Sequence, residues 1–115
     1  MGRRMRRGEV RWSTLRSPDK RRPVVVLTRN SALPYLTNVT VAPITTTVRN
    51  IPTEVLLTPE EDGLPQLCAV NLDNIQTIAQ NAVGDLIVQL SSERMQEVER
   101  AIQFALGIGQ PRWRR

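Results

Sequence analysis

Residues 39–50, VTVAPITTTVRN, begin as a β-branched strand, meet a proline, and leave the strand through three threonines and an arginine. Val39, Thr40 and Val41 suit a pleated, half-buried surface. Pro43 donates nothing to a sheet ladder, so the strand must bend, or lie open on one side, where it falls. Beyond Ile44 the stretch turns polar. Thr45, Thr46, Thr47 and Arg49 put hydroxyls and a guanidinium at the exit of a strand, in a chain that has no histidine.

Outward from this stretch the sequence is punctuated into short strands. GEVRWS (8–13) alternates, with Val10 and Trp12 on one face and Glu9 and Arg11 on the other. PVVVLTR (23–29) is a continuous apolar run of the kind covered on both faces, with Pro23 tolerated at its start. NVTVAPITT (38–46), PTEVLLT (52–58), LCAVNLD (67–73) and DLIVQL (85–90) complete six expected strands. NSALPYLT (30–37) reads as a loop and PEEDGLP (59–65) as a solvated turn carrying Glu60, Glu61 and Asp62. DNIQTIAQNAV (73–83) reads as a turn and a short helix. Ser91 then caps a final helix whose apolar stripe is Met95, Val98, Ile102 and Leu106, stopped by Gly107. Short strands with tight connections, finished by a helix, predict a mostly β fold with helices (α+β): a strongly bent antiparallel sheet or partial barrel with a C-terminal helix.

The whole chain of 115 residues is expected to be one domain, long enough to bury roughly two-thirds of its unfolded surface without staples. Its apolar residues are mainly Val, Leu and Ile; four aromatics, Trp12, Tyr35, Phe104 and Trp113, are too few for a broad base-stacking sheet. A single cysteine, Cys68, excludes an internal disulfide, fits a reducing compartment and reads as a buried strand residue. No run approaches the ~18 apolar residues of a membrane span, and the basic MGRRMRR start lacks the apolar segment of a secretory signal. A cytoplasmic protein with no membrane contact is the expectation.

The net charge of +5 is unevenly spread. Residues 1–22 carry nine Arg or Lys against two acids, 112–115 add three arginines, and 23–111 hold four arginines against nine acids. Basic arms on a mildly acidic body suit a polyanion, because arginine grips phosphate through charge-assisted, bidentate hydrogen bonds.

Histidine acid–base chemistry is closed to this chain, Cys68 has no base to activate it, and no P-loop, HExxH or GxGxxG is present. The carboxylates are scattered, so the converging set of a two-metal nuclease is not expected; neither a metal nor another cofactor is implied. Arginine and hydroxyl remain. KRRP at the start of the second strand and PITTT at the end of the third could converge on one phosphodiester, the guanidinium offsetting transition-state charge. On the residues alone, the plainer reading, with Arg21 and Arg22 as surface charges and Thr45–Thr47 as ordinary strand residues, is the favoured one.

MRRGEVRW (5–12), RRPVVVLTRN (21–30), VTVAPITTTVR (39–49), PTEVLL (52–57), DNIQTI (73–78) and LSSERMQEVERAIQFALGI (90–108) together resemble the MazF/PemK family of toxin endoribonucleases from bacterial toxin–antitoxin modules. The match runs from about 5 to 108 and marks 1–4 and 109–115 as basic extensions, with Met5 a natural start. The resemblance implies an SH3-like barrel, a homodimer and metal-independent cleavage of single-stranded RNA at a short sequence, with 2′,3′-cyclic phosphate and 5′-hydroxyl ends. It also implies an antitoxin of the MazE type whose acidic tail competes for the RNA groove. By motif the catalytic pair falls on Arg22 and Thr45: Arg22 would stabilise charge and donate to the leaving group, and Thr45 would orient the phosphate. A guanidinium stays protonated at neutral pH, so Arg22 is not expected to act as a base.

The connector between the first two strands, RSPDKRR, is shorter than the active-site loop of many family members. Arg16, Lys20 and Arg21 are therefore expected to supply phosphate contacts from that side, with Thr46, Thr47 and Arg49 as further RNA contacts. Asp73, Asn74 and Gln76 are expected to fix a turn near the groove. Two rivals stand beside this reading: a toxin of the same fold that acts on a protein such as DNA gyrase, and a non-catalytic nucleic-acid-binding barrel.

Overall fold

The computed structural model describes residues 4–14 and 21–109. Arg16 and Lys20 lie outside the described residues, as do the outermost basic residues at both ends.

The sheet is organised around the strand that holds the proline. β1 (Glu9–Thr14), β2 (Arg21–Val26) and β3 (Asn38–Thr45) follow one another antiparallel. β2 lies along one edge of β3, pairing Val24 with Pro43, Val25 with Ala42 and Val26 with Val41. The other edge is shared by two partners. β6 (Gln76–Ala79) pairs with residues 38–41, and β5 (Cys68–Asn71) pairs with Ile44 and Thr45. Pro43 falls in the gap between them, where a missing N–H costs no ladder bond. Here β3 passes from one partner to the other, and the sheet bends. β4 (Glu54–Leu57) extends the sheet beyond β5, and β7 (Val83–Gln89) closes the far side against β1, giving the order β4-β5-β3-β2-β1-β7 with β6 on β3. The seven strands form an open, strongly bent sheet.

The Val24–Val26 run is fully buried because it faces two cores. Val25 joins a larger cluster with Val10, Ala42, Ile44, Val55 and Val70; Val24 and Val26 join a smaller one with Leu33, Val39 and Val41. Side chains alternate across a strand, so three valines in succession fill both sides.

The final helix α2 (Ser92–Leu106) closes the larger core. Ser91 caps it by accepting from Arg94 N–H, and Gly107 ends it at φ 72°, a left-handed conformation suited to glycine. Its buried face is Val98 and Ala101, flanked by Met95, Ile102 and Ala105. Leu106, expected on this stripe, is exposed: it follows Ala105 by one residue, about 100° around the helix.

Two other expectations change. Residues 73–83 form no α-helix: a 3-10 turn (Leu72–Asn74) leads into β6, and a second (Gln80–Ala82) leads into β7. Gln76 and Ile78 are less exposed than Thr77 and Ala79, the period of two that a strand requires, and the open edge of β3 captures the segment. Residues 59–62 form a one-turn helix, α1 (Pro59–Asp62), with Thr58 as N-cap, Pro59 in the first turn and Gly63 left-handed after it. Asp62 is buried rather than solvated, held by Arg94.

β1 also departs from a simple inside–outside strand. Glu9 and Arg11 are both buried and paired, Arg11 Nε donating to Glu9 Oε1 at 2.8 Å and Nη1 to the Gly84 carbonyl at 2.8 Å. β7 pairs along the edge of β1 with shifts in register on either side of Arg11, and its Gly84 supplies the carbonyl that Arg11 reaches.

Candidate active site

β2 and β3 run paired as far as Val24–Pro43; Arg22 lies two residues beyond on β2 and Thr45 two residues beyond on β3. Both line one open groove of about 880 Å³. Arg22 is exposed and Thr45 half-buried, so the guanidinium projects from the strand start while the hydroxyl sits lower on the wall.

The Thr45 hydroxyl has a defined role in its own turn. Its Oγ1 accepts from the Thr47 backbone N–H at 3.0 Å. One lone pair is thereby occupied and the O–H remains available as a donor. This bond also ends the strand: Thr46 and Thr47 turn outward, exposed and off the groove lining. Arg49 returns to the groove wall. Its backbone N–H is held by Glu54 Oε1 at 2.9 Å, which fixes the segment after β3 to the start of β4. Asn50, at φ 57°, makes the left-handed step in this connection, a conformation that asparagine tolerates better than most residues.

The opposite wall comes from the turn between β5 and β6. Asn71, Asn74, Gln76 and Thr77 line it, with Ile78 and Ala79 beyond. Asp73 faces away and holds the turn: its carboxylate accepts from Thr53 Oγ1 at 2.6 Å, and its N–H donates to Asn71 Oδ1 at 2.9 Å. The groove thus carries two guanidiniums and a row of amides and hydroxyls, with no carboxylate among its lining residues. Such a wall attracts an anion and offers donors and acceptors to base edges.

The expected contacts are therefore divided. Arg22, Thr45 and Arg49 are brought together in the groove with Asn74 and Gln76. Arg21 stacks on Trp12, its Cζ 4.9 Å from the ring centroid, and is not part of the lining. Thr14, Asn71 and Thr77 were not singled out by sequence; their only signal is adjacency to the motifs, since a polar strand end is common and acquires meaning only when several meet. Cys68 is buried, and burial first, with Asp62 second, pushes its thiol pKa up, so it is a poor nucleophile. Among the described residues, no group of three His, Cys, Asp or Glu side chains could hold a metal ion, and no helix is long and apolar enough to cross a membrane.

Comparison with known proteins identifies relatives of the chain and of its fold. The chain is 39% identical over 100 residues to the probable endoribonuclease MazF5 of Mycobacterium tuberculosis, covering 87% of this chain and 91% of that protein. It is 48% identical over 90 residues to endoribonuclease MazF3 of the same species, covering 78% and 86% respectively. An endoribonuclease from a mycobacterial species, solved in complex with its cognate antitoxin, superposes with a TM-score of 0.82 at 29% identity, over 93% of this chain and 99% of that one. The seven-stranded sheet with its C-terminal helix is the fold of that toxin. Residues 6–106 match the family model described as PemK-like, MazF-like toxin of type II toxin–antitoxin system, and the chain belongs to that family.

Proposed function

We propose that this protein is a toxin endoribonuclease that cuts single-stranded RNA within the Arg22–Thr45 groove and is neutralised by a cognate antitoxin. The observation that carries the reading is that Arg22, at the start of β2, and Thr45, at the end of β3, line the same groove. Arg22 grips the scissile phosphate and offsets the charge that develops on its oxygens, and the free O–H of Thr45 donates to the same group. The RNA supplies its own nucleophile. As the 2′-oxygen bonds to phosphorus, its proton leaves to a base and the bond from phosphorus to the 5′-oxygen breaks. That oxygen takes up a proton, and the products are a 2′,3′-cyclic phosphate and a 5′-hydroxyl. Neither a covalent enzyme intermediate nor a metal ion enters this sequence. Asn71, Asn74, Gln76 and Thr77 present the donors and acceptors from which preference for a short RNA sequence would come.

An antitoxin with an acidic segment fits the same cationic groove, and the mycobacterial relative of this fold was solved with its cognate antitoxin. A homodimer in the cytoplasm is part of the reading: the exposed Phe104, Leu106 and Ile108 at the end of α2 form apolar surface that a second copy would cover. The test is to incubate purified protein with end-labelled single-stranded RNA in EDTA and map the cuts and their termini. Cuts at a recurring short sequence, ending in cyclic phosphate and lost in Arg22→Ala and Thr45→Ala, are expected. Binding without scission, or gyrase inhibition without either, would overturn the nuclease reading.

A further inference from the structure

A second cleft, of about 270 Å³, lies where the N-terminal segment crosses the loop between β2 and β3. Arg4, Arg6, Asn30, Pro34, Leu36 and Gln80 are among its lining residues, and none of its lining residues is acidic. Arg4 and Arg6 are exposed and make no ion pair among the described residues. Tyr35, between two lining residues, is 84% exposed. A large ring left in water, flanked in the chain by two residues of a cleft that also holds two uncommitted guanidiniums, calls for an explanation.

The loop that carries Tyr35 is held firmly. Gln80 Nε2 donates to the carbonyls of Leu33 and Leu36, each at 2.9 Å, and Gln80 N–H donates to the Thr37 carbonyl at 2.9 Å. Arg7 N–H donates to Asn30 Oδ1 at 2.7 Å, fastening the N-terminal segment to the same loop. The cleft and the groove share no lining residue but meet along the chain at the end of β6. Ala79 lines the groove and Gln80, its neighbour in the chain, lines the cleft. Leu33 belongs to the small core cluster against which Met5 and Ile78 pack, so one patch of core floors both depressions. From Gln76 to Gln80 the path is about 13 Å at the usual strand rise.

We propose that this cleft is a distal subsite for the RNA strand. On leaving the Arg22–Thr45 groove along β6, the strand stacks a base on Tyr35 and sets its flanking phosphates against Arg4 and Arg6. The inference rests on the RNA reading of the groove and adds a place where length of substrate is sensed. Stacking on one exposed ring is indifferent to base identity, and phosphate contacts carry no sequence information, so the subsite contributes affinity and not the cut sequence. A loop already fixed by four hydrogen bonds loses little freedom on binding.

The experiment uses two RNAs centred on a mapped cut, one just spanning the groove and one extended by several nucleotides on both sides. Each is made with a 2′-deoxy sugar at the cut nucleotide for binding and with ribose throughout for cleavage. Tyr35→Ala is expected to weaken binding of the long RNA about ten-fold, within the range for loss of one stacked base, and to leave the short RNA bound and cut as before. Tyr35→Phe keeps the ring and restores affinity. Arg4→Ala with Arg6→Ala flattens the salt dependence for the long RNA by about 1.4, two single-strand phosphate contacts. Equal affinity of wild type and Tyr35→Ala for the long RNA overturns the subsite, as does an equal loss for both lengths. A loss confined to binding an acidic antitoxin peptide overturns it too. In each of these cases cleavage of the short RNA by the wild type keeps the nuclease reading intact; absence of any cleavage would instead remove that reading.

Discussion

Arg94 Nε donates to Asp62 Oδ1 at 2.9 Å and Nη2 to Asp62 Oδ2 at 3.1 Å, tying the C-terminal helix to the single turn that follows β4. The Asp62 side chain is only 3% exposed, and Oδ2 also accepts from Thr58 N–H at 2.8 Å. The hydrogen bond to Asp62 is the main reason the Arg94 pKa is raised. Arg94→Met leaves a buried carboxylate without its cation. A loss of about 3 kcal/mol in urea unfolding is expected; a loss under about 0.5 kcal/mol would show that water reaches Asp62.

The Glu9–Arg11 pair is a second buried ion pair, with side chains 9% and 6% exposed. Removing one partner strands the charge of the other: Arg11→Leu leaves Glu9 without its cation, with the Arg6 N–H still donating to its Oε1 at 3.0 Å, and takes a donor from the Gly84 carbonyl, and about 3 kcal/mol of stability should go with it. The double variant Glu9→Leu, Arg11→Leu buries no unpaired charge. Its measured loss should be smaller than the sum of the two single losses, a coupling visible in a double-mutant cycle of unfolding free energies.

Cys68 reports on the β4–β5 edge. Burial, and then the Asp62 carboxylate, hold its proton more tightly in the folded chain than the ordinary value of 9.0. The folded state therefore gains stability from this group below about pH 9, and the gain is lost as pH rises from there through the raised folded pKa. The native thiol should react slowly with a disulfide reagent at pH 8 and at the free-thiol rate in denaturant. Fast native labelling would contradict the buried placement.

Gly8 sits at φ 91°, and a β-carbon there would come within 2.6 Å of Gln89 Nε2. The clash meets the end of a flexible side chain and is relieved cheaply, but the backbone conformation is not. Gly8→Ala should cost about 1–2 kcal/mol, read from thermal unfolding, and should disturb the bonds from Gly8 N–H to the Val26 carbonyl and from Leu90 N–H to the Gly8 carbonyl.

The three arginines of the KRRP and PITTTVR motifs should behave differently. Arg22→Lys keeps a charge but loses the planar fork, and single-turnover cleavage is expected to fall by roughly 100-fold or more, in the range of a lost transition-state donor. Arg49→Ala should weaken RNA binding and reduce its salt slope by about 0.7 while cleavage at saturation changes little. Arg21→Ala should chiefly change the fluorescence of Trp12, on which Arg21 stacks. Equal effects of all three on cleavage would mean that the groove does not discriminate among them.

Much of this protein is written locally. The Val24–Val26 run and the alternation of residues 38–41 specify strands because β-branched side chains favour a pleated surface. Ser91 and Gly107 bound the last helix because they satisfy its terminal groups without help from the rest of the chain. Even α1 was legible: threonine, proline, three acids and glycine are start and stop signals, read as a loop only because one turn of helix is so short. Composition also drew attention to KRRP and PITTT, and the resemblance to the MazF/PemK family singled out Arg22 and Thr45 within them.

The choices made by distant neighbours could not be read along the chain. Residues 76–79 became a strand because β3 offered an unpaired edge, Asp62 became buried because Arg94 arrives from the far end of the sequence, and Arg21 turned to Trp12 while the next arginine turned to the groove. Burial, pairing and charge depend on which distant groups come within a few ångströms, and that distance is set by the register of strands and the bend at Pro43. The sequence determined the elements and the polar strand ends; only the tertiary structure decided which of those ends share a groove.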